Sequence, residues 1–187
     1  SYMFAESQIE EITSLGFNTT DVKNMSHLFE GCSSLTNIDF TEIDTSSVKD
    51  MSYMFHSCSG IKWLDLSNLK TNEVTNMSNM FQDCISLTEL DLNDFDTSKV
   101  EDMSSMFDNC VALEVLDLSS FDTRSVKNMS NMFEYCTDLT SLNIKSFDSK
   151  NVQSTSGLFA SCSSLKEFDI SNFDLSSNKD MSRMFYG

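Results

Sequence analysis

The chain contains no proline and only five glycines among its 187 residues. Average usage would place roughly nine prolines in a chain of this length, and clusters of proline and glycine usually mark linkers. A hydrophobic content of 40% is high enough to form a buried core. We therefore predict a single continuous domain over residues 1–187.

Positive charge is also scarce, because 12 Lys and Arg stand against 29 Asp and Glu and give a net charge of −17. An acidic surface repels phosphate backbones and anionic lipid headgroups. No segment is apolar over the length that a membrane-spanning helix needs. These shortages argue against nucleic-acid partners and direct membrane insertion. The chain opens inside a motif, at Ser1-Tyr2-Met3-Phe4, so we expect it to be a fragment of a longer protein.

What the sequence does contain is a 26-residue repeat, present in about seven units. A cysteine recurs at this interval, and apolar residues stand three, six, eight and eleven positions after it. A valine and the block Met-Ser-x-Met-Phe complete the unit, as in Val74 and residues 77–81. Periods of this length indicate a solenoid. The six cysteines are Cys32, Cys58, Cys84, Cys110, Cys136 and Cys162.

The units deviate most near the two ends of the chain. Ser7 occupies a cysteine position and Ser14 a leucine position, whereas Thr155 replaces a methionine and Asn178 a valine. Terminal units of solenoids are often atypical because they cap the stack. We interpret these units as near-terminal or simply drifted.

Each unit predicts one strand and one short helix. Leu90 and Leu92 flank Asp91 with the alternation of a strand, which points Asp91 outward. The Met-Ser-x-Met-Phe block has apolar residues at steps of three and four, which predicts a helix over residues 51–57 with Asp50 as its N-cap. Parallel strands are expected around Asp39, Asp65, Asp91, Asp117, Asn143 and Asp169.

Neither element buries enough surface to be stable alone, so the units must stack. Strands of successive units would pair about 4.8 Å apart, with identical apolar side chains in columns. The predicted fold is an α/β solenoid. It is a right-handed coil like that of leucine-rich repeats, with a parallel sheet on one face and short helices on the other.

The repeat also carries a family resemblance. Leu-x-x-Leu-Asp-Leu resembles the strand signature of leucine-rich repeats, and the whole unit resembles the 26-residue repeat of BspA-like surface proteins of mycoplasmas, lactobacilli and related bacteria. The block Asn-Met-Ser-x-Met-Phe-x-x-Cys is specific to that family, and the match covers essentially the whole chain. The resemblance implies a secreted or cell-surface protein with a role in adhesion or interaction, and it carries over no catalytic residues.

The sequence offers little for metal or catalytic chemistry. Cysteines 26 residues apart lack zinc-ligand spacing. Neighbours in a column could approach disulfide distance, but their place at the end of an apolar stripe favours free buried thiols. The methionines fit core positions, and His27 and His56, in variable slots, are expected at the surface. We predict no metal site, no cofactor and no enzyme activity.

The outward acidic row needs relief from the repulsion between stacked like charges. Calcium prefers several convergent oxygens, and one carboxylate per unit provides few. Hydrogen bonds from the backbone or from Ser and Thr hydroxyls are the alternative.

Two outward slots break this acidic row, at Trp63 and Val115, and Lys145 adds its only positive charge. An exposed tryptophan among carboxylates can anchor a protein contact or stack on a sugar ring, or it can simply cover its neighbours. The candidate partner-binding residues are Trp63, Asp65, Asp91, Val115, Asp117 and Lys145.

These features predict a non-enzymatic module that presents its sheet to a protein or glycan on another cell or matrix, and the family resemblance implies that it is extracellular or at the cell surface. The alternative is an architectural spacer with no ligand on its sides. Such a rod would associate head-to-tail, because a solenoid cut within its array exposes apolar ends and strand edges.

Overall fold

The structure is a computed structural model that describes residues 2–14, 16, 18–167 and 169–187. Successive 26-residue units form coils that stack in register, so that equivalent residues lie in columns. The coil's strand side, which we call the sheet wall, comprises residues 36–41 and their equivalents. The opposite segment, which we call the turn wall, comprises residues 50–58 and their equivalents.

The sheet wall contains four short strands: β1 (Glu11–Ile12), β2 (Asn37–Ile38), β3 (Val115–Asp117) and β4 (Ser141–Asn143). β1 pairs with β2 and β3 with β4, both in parallel and one repeat apart. The prediction of parallel pairing is confirmed. The strands predicted to be centred on Asp117 and Asn143 exist but end at those residues, and β2 ends just before Asp39. Strands centred on Asp65, Asp91 and Asp169 were wrongly predicted, because the pairing is interrupted there. Phe168, next to Asp169, lies outside the described residues.

The turn wall is not helical, which corrects the prediction over residues 51–57. The described residues contain no helix. Every second residue of this segment donates its backbone N–H to the next coil, at 2.8 to 3.0 Å. The donors are Met51, Tyr53, Phe55 and Ser57, and the acceptors are the carbonyl groups of Asn76, Ser78, Met80 and Gln82.

The intervening N–H groups close turns within the coil instead. Met54 donates to the carbonyl of Met51 and Cys58 to that of Phe55, three residues back. Tyr53 and Ser57 have left-handed backbones, with φ of 57° and 58°, which no α-helix accommodates. The predicted N-cap Asp50 is an Asx turn, in which its Oδ1 accepts the N–H of Ser52 at 3.0 Å.

Coil spacing explains why turns replace the helices. Packed helices need 8 to 10 Å between their axes, whereas paired strands lie about 4.8 Å apart. The turn wall repeats almost as closely as strands do, because rings stacked between neighbouring coils have centroids 5.5 to 5.8 Å apart. At that spacing a helix would collide with its neighbour, and its saturated N–H groups could not bond to the next coil.

A continuous phenylalanine column fills the interior behind the turn wall. Phe81, Phe107 and Phe133 are fully buried, and their rings are stacked 5.7 and 5.8 Å apart at interplanar angles of 4° and 5°. The methionines are buried in most repeat slots, as their core assignment predicted, but Met181 near the C-terminal end is 53% exposed. The stack comprises Phe4, Phe29, Phe55, Phe81, Phe107, Phe133, Phe159 and Phe185.

A column of buried threonines joins each coil to the next by hydrogen bonds, an arrangement that we call the threonine staple. The Thr97 hydroxyl donates to the carbonyl of Asp122 at 3.0 Å and accepts the N–H of the same residue at 2.8 Å. Thr97 is 1% exposed, so this hydroxyl satisfies two backbone groups that water cannot reach. The sequence pattern alone did not indicate this role of the threonines.

The cysteine column lies behind the turn wall, and the predicted burial is confirmed for five of the six thiols. Each Sγ donates to a phenylalanine carbonyl of the preceding coil, as Cys84 does to Phe55 at 3.2 Å. Burial raises the pKa of Cys84 to about 12, which disfavours the nucleophilic thiolate. Cys162 is only half-buried, and its pKa is raised less, to about 11.

Two of the deviant residues near the C-terminal end contact each other. Asn178, in a valine position, donates its Nδ2 to the Oγ1 of Thr155, in a methionine position, at 3.0 Å. Thr155 is fully buried, so neither polar group could stand there alone at low cost. The two exceptions to the repeat therefore compensate one another.

Candidate interaction surface

The sheet wall presents the residues whose side chains alternate outward. Trp63 is 54% exposed and Val115 58%, whereas their neighbours Leu64 and Leu116 are buried. This alternation follows from the pleat of an extended chain. It confirms the predicted register, in which Trp63 faces solvent and not the core.

Two adjacent grooves cross this wall where strand pairing is interrupted. The smaller, of about 240 Å³, is lined by Trp63, Asp65 and Asp91 among others. The larger, of about 550 Å³, is lined by Asp91, Val115 and Asp117 among others. Asp91 belongs to both, so five of the six predicted residues line one connected surface.

Three further carboxylates line the grooves and were missed from the sequence. Glu89 and Glu114 border the larger groove and Asp94 the smaller. No Lys or Arg is among the described residues that line either groove. Only the strand alternation could have indicated Glu89, since it shares the outward face with Asp91, whereas Glu114 and Asp94 gave no such signal.

Lys145 is the exception among the predicted residues. It lines neither groove, and its backbone N–H points at the Oδ1 of Asn143 at 3.4 Å. Hydrogen bonds from the side chain and backbone of Ser171 lower the pKa of Asp169, and the charge of Lys145 adds to their effect. Its positive charge therefore acts on the acidic row beyond the grooves.

Local hydrogen bonds relieve the acidic row, as one of the two alternatives predicted. The Oδ1 of Asp65 accepts the hydroxyl of Ser67 at 2.7 Å and its N–H at 3.1 Å. These two bonds lower the pKa of Asp65, because they favour the ionised carboxylate. The same turn recurs at Asp39, Asp91, Asp117 and Asp169. These local hydrogen bonds hold the carboxylates of the row in place.

Within the described part of the chain, no three His, Cys, Asp or Glu side chains are grouped so as to hold a metal ion. The described residues also include no helix long and apolar enough to cross a bilayer.

The histidines are the second correction to the site predictions. Expected at the surface, His27 and His56 are instead half-buried, with side chains 22% and 21% exposed, and both contact carboxylates. The carboxylates come from Glu30 and from Asp83 one coil further on. Contacts across 26 residues between variable positions leave no sequence signal.

A family model described as a Mycoplasma protein of unknown function, DUF285, matches residues 1–115 and 85–187. The chain belongs to this family. Its repeat and its likeness to bacterial leucine-rich repeat proteins agree with the BspA-like resemblance. Among curated protein sequences, none matches significantly.

Solved structures support the solenoid fold. The leucine-rich repeat protein of T. pallidum aligns over 79% of this chain with a TM-score of 0.55 and 23% identity. The chain covers 63% of that protein. A leucine-rich cell surface protein of Faecalibacterium prausnitzii aligns over 93% of this chain and 48% of its own length, with a TM-score of 0.49 and 16% identity.

Proposed function

We propose that this chain is a non-enzymatic interaction module of a bacterial cell-surface protein, and that the two grooves around Asp91 form its contact surface. The observation that carries the proposal is an exposed tryptophan in the smaller of two adjoining grooves. Six carboxylates line these grooves, and no Lys or Arg is among the described residues that line them. Surface display draws support from the resemblance of the repeat to BspA-like surface proteins, with which the family match agrees.

The chemistry of the grooves favours a protein partner that brings Lys or Arg side chains. Asp65, Asp91 and Asp117 offer charge-assisted hydrogen bonds, and the ring of Trp63 can hold a cation over its face. Most of the leucines that flank these carboxylates and the tryptophan are buried, which holds the outward side chains in fixed positions. A neutral glycan would use the tryptophan but leave the carboxylates largely unpaired.

Trp63 is the chain's only tryptophan, so intrinsic fluorescence reports on this surface alone. We expect an arginine-rich peptide to shift the emission of Trp63 and a glutamate-rich peptide of equal length to leave it unchanged. Affinity should fall as salt rises, because the contact is electrostatic. A response to oligosaccharides alone would favour the glycan partner instead.

Variants measured by calorimetry localise the site. Trp63→Ala should weaken peptide binding by about 2 kcal/mol with nearly unchanged thermal stability. Asp91→Asn should weaken it as well, since Asp91 borders both grooves. Asp39→Asn is the matched control, because Asp39 occupies the same slot in a coil outside both grooves. Equal losses for Asp39→Asn and Asp91→Asn would reduce the proposal to unspecific charge attraction.

The architectural role remains a second candidate because the turn wall is bridged without a break from Asn24 to Asp180. A ladder of this kind makes a stiff rod whether or not its sides bind anything. Head-to-tail association would add length, and light scattering over a range of concentrations measures it. If the chain is monomeric and does not bind the peptide, only the role of a spacer with no ligand on its sides remains.

A further inference from the structure

The turn wall carries a polar network that the proposed function does not use. His56 lies at its centre, with Nδ1 3.2 Å from the Oε1 of Glu30 in the preceding coil and Nε2 3.3 Å from the Oδ2 of Asp83 in the following coil. The other oxygen of Glu30 is 2.7 Å from the Nδ1 of His27. One imidazole thus lies between carboxylates of two different coils.

A ring with both N–H groups satisfies both carboxylate contacts, and the hydroxyl of Ser57 also lies 3.5 and 3.4 Å from the two nitrogens. A neutral imidazole has one N–H and one lone pair, so one of its nitrogens would face a carboxylate without a proton between them. The imidazolium donates from both sides. The side chains of Glu30, His56 and Asp83 are 25%, 21% and 35% exposed, so water shields these contacts only in part.

The network continues through Asp108 in the next coil. Its Oδ2 accepts the Nε2 of Gln82 at 3.0 Å. Burial, followed by the charges of Glu134 and Asp83, raises the pKa of Asp108 to about 7. Glu134 is itself balanced by Arg183, whose Nη2 lies 3.0 Å from its Oε1.

We propose that this histidine–carboxylate network is a pH-sensitive interlock, which fastens consecutive coils together in mildly acidic solution and loosens the turn wall as the solution becomes alkaline. Its members are His27, Glu30, His56, Asp83, Asp108 and Glu134. The interlock lies on the turn wall, so it is independent of contact at the sheet-wall grooves.

Both kinds of group act in the same direction. Asp108 binds its proton more tightly in the folded chain than in the unfolded chain, where a carboxyl has a pKa of about 3.9. Its contribution to stability is therefore lost as the pH rises from about 4 through about 7. The contacts of His56 act the same way, because its ring can donate to both carboxylates only while both nitrogens carry a proton.

Thermal unfolding of the whole chain tests the interlock. We expect Tm to be about 5 °C lower at pH 8 than at pH 6, and this difference to shrink by more than half in the double variant His56→Gln, Asp108→Asn. Glu73→Gln is the control, because Glu73 pairs with Lys99 in an exposed ion pair outside the network. This control should keep the wild-type difference.

Hydrogen exchange, corrected for intrinsic rates, locates the effect. The N–H groups of Ser57, Asp83 and Asn109 donate between coils inside the network, and their protection should fall about tenfold from pH 6 to pH 8. The N–H of Asp122, bonded to Thr97, should keep its protection.

Equal Tm values at the two pH values, or an undiminished difference in the double variant, would overturn the proposal. Uniform loss of protection along the chain would do the same. Should His56→Gln prevent folding, Asp108→Asn alone decides the matter. This near-isosteric change must raise Tm at pH 8, and failure to do so refutes the interlock.

Discussion

The sheet wall and the turn wall are built from the same repeat, yet they hold the coils together very differently. On the turn wall parallel bridges run through every coil from Asn24 to Asp180. On the sheet wall pairing is confined to two separate pairs of strands, with open grooves between them. The regular pairing of the turn wall holds the coils together. The interrupted sheet wall leaves backbone groups and side chains accessible to a partner.

The difference follows from what each wall buries. Behind the turn wall, stacked phenylalanine rings, thiol hydrogen bonds and backbone bonds recur from coil to coil, and the exceptions lie near the ends. The outward slots of the sheet wall vary between Trp63, Glu89 and Val115, so no uniform column stabilises its outer face. The repeated columns stabilise the contact between coils, whereas the varied outward side chains can distinguish one partner from another.

The largest expected effect is the loss of one ring from the phenylalanine column. Phe107→Ala should lower the free energy of unfolding by about 3 to 5 kcal/mol, because it opens a cavity between Phe81 and Phe133. Urea denaturation measures this value. Val115→Ala on the sheet wall, at 58% exposure, should change it by less than about 0.5 kcal/mol. Similar losses of unfolding free energy at Phe107 and Val115 would contradict this difference between the two walls.

The threonine staple should have the next largest effect. Thr97→Val keeps the shape of the side chain but leaves the N–H and carbonyl of Asp122 unsatisfied, at a cost of about 1 to 3 kcal/mol. The control is Thr88→Val on the sheet wall, where an exposed hydroxyl donates to Lys62 at 3.2 Å. Water can replace that bond, so denaturation should reveal almost no change. Equal effects would show that burial does not matter here.

The smallest expected effect belongs to the acidic row. Hydrogen bonds from the side chain and backbone of Ser119 lower the pKa of Asp117, so its contribution is present above about pH 4 and is lost as pH falls further. Asp117→Ala should lower Tm by about 1 °C at pH 7 and by less at pH 3. Asp117→Asn retains the acceptor oxygen and should stay closer to wild type. A loss that grows in acid would contradict this account.

Inference from the residues alone succeeded for the buried columns and failed for the local structure of the turn wall. The buried columns, the parallel register and the outward position of Trp63 all followed from the 26-residue period and the alternation within each unit. The helix prediction failed at residues 51–57 because apolar steps of three and four fit a row of turns as well as a helix. In both, residues three apart lie on one side of the chain.

The sequence by itself thus determined that the chain stacks, which side chains are buried and which face solvent, because a repeated pattern of apolar residues has only one consistent way to exclude water. Tertiary structure alone decided that turns replace helices, since the close spacing of the coils lets backbone groups bond to the next coil. It also decided where the sheet opens around Asp91, and that His56 lies between Glu30 and Asp83. Those contacts join residues of different coils, and their free energies depend on distances that exist only once the coils are stacked.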